Sequence, residues 1–236
     1  MCGRYTLTSP AQQIAELFGV LVPAVSWVSR YNIAPGTEIP VVRASAEGGR
    51  QLDSLHWGLA PSWMAERPTR RPMINARSET VAEKPSFRSA FRKRRCLVPA
   101  DGFYEWQKGP GGKKPYLMRR PDHAPFALAG LWEHWEDGAG ETLTSCALLT
   151  TTPNGQMEAI HDRMPVVLAP EAWASWLDTE TSPDKLSPLL VPVADDYFSA
   201  KAVTTRVNSP RYDDPLCLEP AGSLAALPSG TQAGLF

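Results

Sequence analysis

The sequence predicts an α+β fold: one domain built on a mostly antiparallel, barrel-like β-sheet with short peripheral helices. Three observations predict it. Short apolar runs recur along the chain, separated by Gly- or Pro-containing turns, which is the pattern of strands. The 236 residues include 23 prolines spread throughout, which excludes long helices. Apolar residues make up 43% and charged residues 21%, the balance of a globular chain able to bury a core.

The elements follow in order. PAQQIAELFG (10–19) predicts a short helix, with Ser9 as N-cap, Pro10 in the first turn and Gly19 as the stop. YNIAPGTEIPVVR reads as a loop entering a strand, and QLDSLHWG (51–58) alternates like a half-buried strand. SFRSAFRKRRC spaces Phe87 and Phe91 one helical turn apart with arginines around them, an amphipathic helix with a basic outer side. CLVPADGFYEWQK reads as strand, turn, strand. KPYLMRR, PFALAGLWEHW and TLTSCALLTTTP are three further strands, and PEAWASWLD and SPDKLSPLL are short helices. From about Gly222 the chain is small, polar and Gly-rich. The expected division is a domain over 1–221 and a flexible tail over 222–236.

No stretch approaches the ~20 apolar residues of a membrane span. MCGRYTLTSP lacks the basic region and apolar run of a signal peptide, and with them the context of a lipid-anchoring cysteine. The expected compartment is therefore the cytoplasm, nucleoid-associated in a bacterium, or the nucleus in a eukaryote. The expected state is a monomer. Cys2, Cys96, Cys146 and Cys217 are widely spaced, so no CxxC pair or zinc spacing exists, and neither metal nor cofactor is expected. Cys96 and Cys146 sit in apolar surroundings and read as inert core thiols. The net charge is −1, yet Arg67 to Arg95 holds ten Lys or Arg against two Glu, a local net of +8. That block suggests one basic face, although a charge run alone is more often a solvated surface.

Four polar clusters stand out: Cys2-Gly3-Arg4, Asn75 to Glu79 within MINARSET, Glu105 between aromatics in GFYEWQK, and His161-Asp162-Arg163 in AIHDRMPVVL. Each has a plainer reading. Glu105 alternates with Phe103 and Gln107, so pattern alone favours a solvent-facing strand residue. A carboxylate held between Tyr104 and Trp106 would instead have a raised pKa and serve as an acid. His161 fits a turn, Asn75 a turn, and Arg77 with Glu79 a strand-face pair. Cys2, once Met1 is trimmed, would carry a free α-amine and a thiol on one residue.

Taken together, MCGRY, YNIAPGT, HWGLAPSW, INARSET, RCLVPADGFYEW and IHDRMPVVL resemble, in order and approximate spacing, the SRAP (SOS response-associated peptidase) family. VNSPRYDDPLCLEP fits the family's end segment loosely. The resemblance implies a suicide sensor of abasic sites in single-stranded DNA. The Cys2 amine would form a Schiff base with the ring-opened aldehyde, and its thiol would close a thiazolidine. By motif, Asn75 would position the sugar or the amine, Glu105 would be the general acid/base, and His161 a second proton shuttle used in crosslink reversal. Arg4, Arg77 and Arg163 would contact phosphates, and Trp63 would wedge or stack bases. Arg4 would also lower the pKa of amine and thiol. Met64 follows Trp63 where family members often carry a second aromatic. The implied peptidase activity has the chain's own Met1 as its substrate. Two alternatives stand beside this reading. One is an N-terminal-nucleophile amidohydrolase, because glutamine amidotransferases also begin Met-Cys-Gly. The other is a non-covalent reader of DNA bases.

Overall fold

Most apolar runs of the sequence become strands that pair into two sheets packed around one core. The computed structural model describes residues 2–21, 28–66 and 72–222. The strands are β1 (Tyr5–Leu7), β2 (Arg30–Ile33), β3 (Glu38–Ala44), β4 (Arg50–Trp57), β5 (Asn75–Arg77), β6 (Arg95–Ala100), β7 (Gly102–Gly109), β8 (Gly112–Arg119), β9 (Phe126–Glu136), β10 (Thr142–Thr151), β11 (Met164–Pro165), β12 (Val167–Leu168) and β13 (Ser199–Ala202). The helices are α1 (Ala11–Phe18), α2 (Arg88–Lys93), α3 (Gly155–Glu158), α4 (Trp173–Leu177) and α5 (Pro183–Leu186).

The fold is α+β, and its sheet closes. β4 pairs β3, β3 pairs β6, β6 pairs β9, β9 pairs β10, and β10 returns to β4. Closure leaves these five strands no free edge. The pairings are antiparallel except at β10, which runs parallel to β4 and to β5. A second sheet, in the order β13-β8-β7-β1-β2, shares one continuous apolar core with this barrel. β6 is buried at every position, because the barrel fills one face and α4 covers the other. Trp176 Nε1 on α4 donates to the Cys96 carbonyl at 2.9 Å. Cys96 faces Gly130 across the β6–β9 ladder, where an added Cβ would lie 2.7 Å from the Cys96 sulfur.

Two expectations are corrected here. In α1, Ile14, Ala15 and Phe18 face inward and Gly19 ends the helix in the left-handed region at φ 64°. Ser9, however, is not its cap: Pro10 occupies that position, and the Ser9 hydroxyl donates to Asp101 at 3.0 Å. The basic block is not one face either. Arg88 and Arg92 are exposed on α2, but Arg94 pairs with Glu133 at 2.7 Å. Arg95 is 3% exposed and donates to the carbonyls of Phe91, Arg92, Trp176 and Asp178. It satisfies the C-terminal carbonyls of α2 and α4, which have no helical partners of their own. Arg67, Arg70 and Arg71 lie outside the described residues, as does the expected tail beyond Gly222.

The closing segment folds back over the second sheet. The Asn32 amide donates to the carbonyls of Val207, Ser209 and Tyr212, and Asp213 accepts from Arg30 and from the backbone of Tyr31 and Asn32. Val203, Val207 and Cys217 pack beneath it on Tyr104 and Leu117. Among the described residues no helix is long and apolar enough to cross a membrane.

Candidate functional site

The site begins with the way the chain's first residues are held. β1 lies antiparallel to β7, with Tyr5 opposite Phe103 and Thr6 opposite Gly102, and Tyr104 N–H donates to the Arg4 carbonyl at 3.0 Å. Asp101, at the β6–β7 corner, fixes this register. Its fully buried carboxylate accepts from Thr6 Oγ1 at 2.6 Å, from Thr8 N at 2.5 Å and Oγ1 at 2.8 Å, and from Ser9 N at 2.8 Å. Burial alone would raise its pKa, but the Thr6 and Thr8 hydrogen bonds and the Arg119 guanidinium outweigh burial and hold it below the usual value.

Cys2 is thereby tucked inside, 0% exposed. Asn75, at the start of β5, donates its amide to the Cys2 carbonyl at 2.9 Å. The parallel pairing of β5 with β10 puts Asn75 there, opposite Leu148. The amide oxygen of Asn75 is buried without a hydrogen-bond partner among the described residues. Burial pushes the Cys2 thiol far above its ordinary pKa, and the Glu105 charge adds to the effect. The thiol is therefore protonated at neutral pH and needs a base. Arg4 does not supply the expected relief through its side chain. Its guanidinium donates to the Val207 carbonyl at 2.8 Å and lies over the Trp106 ring, while its backbone N–H is what stabilises the sulfur.

Glu105 is buried, not solvent-facing, with 2% exposure. Burial lifts its carboxyl pKa to about 7, so it exchanges a proton at neutrality. His161 follows α3 and brings Nε2 to 3.8 Å from Glu105 Oε2. Its Nδ1 is 3.0 Å from Arg163 N and 2.9 Å from Asp162 Oδ1. One nitrogen cannot accept from the first and donate to the second at once. Burial lowers the His161 pKa, which favours the neutral ring; that ring accepts from Arg163 N–H and carries its proton on Nε2, towards Glu105.

A cleft of 580 Å³ opens over this pair, lined by Arg77, Glu105, Trp106, Lys108, Lys113, His161, Asp162, Arg163 and Asn208. Arg77 is exposed at the end of β5. Arg163 holds Glu79 with both prongs, at 2.6 and 2.9 Å, and donates to the Thr150 carbonyl at 2.7 Å. Glu79 thus pairs with Arg163 and not with Arg77. Trp63 stands apart, 64% exposed on the loop after β4 and not in the cleft wall. The structure therefore joins Asn75 to Cys2 and His161 to Glu105, with the Glu105 charge acting on the Cys2 thiol; it places Arg77 and Arg163 in the cleft wall and leaves Arg4 beneath Trp106. Sequence reasoning missed Asp101 and Asn208. Asn208 accepts from Trp106 Nε1 at 2.7 Å and comes from the closing segment, whose only signal was the loose match of VNSPRYDDP.

A family model described as SOS response associated peptidase (SRAP) matches residues 1–210. The chain belongs to the SRAP family. Among its SRAP relatives, the abasic site processing protein YoqW of Bacillus subtilis (strain 168) is 41% identical over 223 residues, covering 93% of this chain and 99% of that one. The abasic site processing protein HMCES of Gallus gallus is 32% identical over 221 residues, covering 80% of this chain and 66% of the relative. A crystal structure of a protein from Bacteroides thetaiotaomicron superposes with a TM-score of 0.84 at 27% identity, covering 93% of this chain and all (100%) of that one. A phage-related protein from Bordetella bronchiseptica gives a TM-score of 0.70 at 30% identity, covering 90% and 99%.

Proposed function

We propose that this protein recognises abasic sites in single-stranded DNA and captures them covalently through Cys2 after loss of Met1. The observation that carries the reading is the buried Cys2 set against Asn75 and Glu105, with Glu105 poised near neutrality. The names of YoqW and HMCES as abasic site processing proteins support the substrate.

The chemistry follows from these groups. The neutral α-amine of Cys2 attacks the C1′ aldehyde of the ring-opened sugar, and a C–N bond forms. Glu105, in its acid form, protonates the hydroxyl of the carbinolamine, which leaves as water and gives the protonated imine. The thiol then adds to the imine carbon: its proton passes to the Glu105 carboxylate, the C–S bond forms, and the nitrogen takes back its electron pair and keeps its own proton. Only a terminal cysteine can close this five-membered ring. Asn75 holds the Cys2 carbonyl, so the amine and thiol approach one carbon from a fixed backbone. His161 relays protons to and from Glu105 through Nε2. Arg77, exposed in the cleft wall, takes a phosphate, and Arg163 takes one when the anion displaces Glu79. Burial of the Cys2 thiol protects it from oxidation.

Removal of Met1 by the same cysteine is part of this reading, and the family's peptidase description supports it. The test is a denaturing gel of the protein with single-stranded DNA carrying one abasic site. A shifted band is expected for the parent and none for Cys2→Ala, apart from a Schiff base trapped by borohydride. Hydrolysis of free glutamine with no shifted band would replace the reading with an amidohydrolase. Binding that is indifferent to Cys2→Ala, again without a band, would leave a non-covalent reader.

A further inference from the structure

The β7–β8 hairpin breaks a rule of strand pairing beside the cleft. Its register sets Lys108 directly opposite Lys113, with Gln107 opposite Lys114 next to them. Like charges directly opposite one another destabilise an antiparallel pair. Lys108 and Lys113 are both exposed, and neither side chain makes an ion pair or hydrogen bond among the described residues. Of the acidic groups lining the cleft with them, Asp162 lies against His161 and Glu105 is buried. A local cost without a structural return is the mark of a functional position.

The two lysines also face the chemistry. Both line the cleft that holds Glu105 and His161, and the Lys108 charge opposes protonation of His161. Lys113 additionally lines a groove of 690 Å³ that runs along the hairpin towards Thr204 and Thr205. A strand leaving the cleft in that direction crosses the Lys108–Lys113 pair.

We propose that Lys108 and Lys113 together clamp one backbone phosphate of the DNA strand flanking the reacting nucleotide, their mutual repulsion being relieved by the anion. The proposal rests on the reading that the cleft takes single-stranded DNA. It adds a binding position that the site's arginines do not occupy, and it makes DNA affinity and hairpin stability trade against each other.

The test uses the full chain and a fluorescent single-stranded oligonucleotide without an abasic site, so that binding is read apart from crosslinking. Affinity is measured by anisotropy over a salt series. The double variant Lys108→Gln/Lys113→Gln is expected to lower the salt slope by about 0.7, the value for one phosphate on a single strand, which amounts to about fivefold weaker binding at 0.1 M relative to a 1 M reference. Lys113→Gln alone is expected to raise the melting temperature of the free protein. Lys185→Gln on α5, remote from the cleft, controls for the loss of a charge. A parent-like slope in the double variant would overturn the clamp. A fall of about 1.4 would mean two separate phosphates and would overturn the shared site. A lowered melting temperature in Lys113→Gln would assign the lysine to the fold instead. Failure of the parent itself to bind the oligonucleotide would overturn the functional reading, a result distinct from all of these.

Discussion

Asp101→Asn tests how the chain's first residues are held in place. The Asp101 Oδ2 atom takes four donors, from the backbone and hydroxyl of Thr8 and of Ser9, and Oδ1 takes Thr6 Oγ1 and Arg119. An asparagine can keep its oxygen at the Oδ2 position and retain the four. Its NH₂ then faces Thr6, whose hydroxyl can turn to accept, and Arg119, which loses its counter-charge. Hydrogen bonds to a charged acceptor contribute roughly 1.5–3 kcal/mol against about 1 for a neutral one. Loss of that difference at several donors, with an ion pair broken at a buried site, costs about 3 kcal/mol. For a chain of this size the melting temperature should fall by about 9 °C at pH 7. The pH dependence carries the sign. The folded pKa is depressed, so the carboxylate's contribution is present above the unfolded value and lost as pH falls through the folded one. The gap between parent and variant should therefore close in acid. Urea unfolding at pH 7 and at about pH 3 measures both. An unchanged stability at pH 7, or a gap that widens in acid, would refute the assignment of Asp101 as a charged anchor.

Further outcomes are expected at the site and in the barrel. Glu105→Gln removes the acid and should slow crosslinking by about 10²–10⁴, read as band formation over time, while affinity for intact single strands holds. The same variant should be the more stable protein at pH 8: a folded pKa raised to about 7 gives stability present below the ordinary carboxylate value and lost as pH rises through 7, worth about 3 kcal/mol above both, and glutamine does not lose it. Equal melting temperatures of parent and Glu105→Gln at pH 8 would contradict the burial argument. His161→Ala should slow transfer of the protein to excess abasic competitor more than it slows formation, and equal reversal rates would remove its role. Gly130→Ala places a methyl 2.7 Å from the Cys96 sulfur and should destabilise by about 1–3 kcal/mol, measured by thermal unfolding.

The strands were legible in the sequence because their apolar runs are short, β-rich and bounded by turn residues. Closure of the sheet was legible only as a class; the parallel pairings of β10 with β4 and β5, which bring Asn75 to Cys2, leave no local signal. Glu105 shows why pattern alone misleads. Its strand alternates as if one face were wet, but His161 and the buried Cys2 lie on the side of its carboxylate. Ser9 looked like a helix cap because its position and type fit one, yet a buried carboxylate some ninety residues away competes better for its hydroxyl. The charge run split for a similar reason: α2 and α4 end against each other, and their carbonyls draw Arg95 inside.

The central claim is that both nucleophiles of one terminal residue close a ring on the abasic sugar. Mass spectrometry of the protease-digested adduct tests it most directly. The account predicts an N-terminal peptide that begins at Cys2, carries the sugar remnant with the loss of one water, resists borohydride, and has no thiol left to alkylate. A remnant on a lysine, a Cys2 thiol that still alkylates, or a retained Met1 on the crosslinked peptide would contradict it.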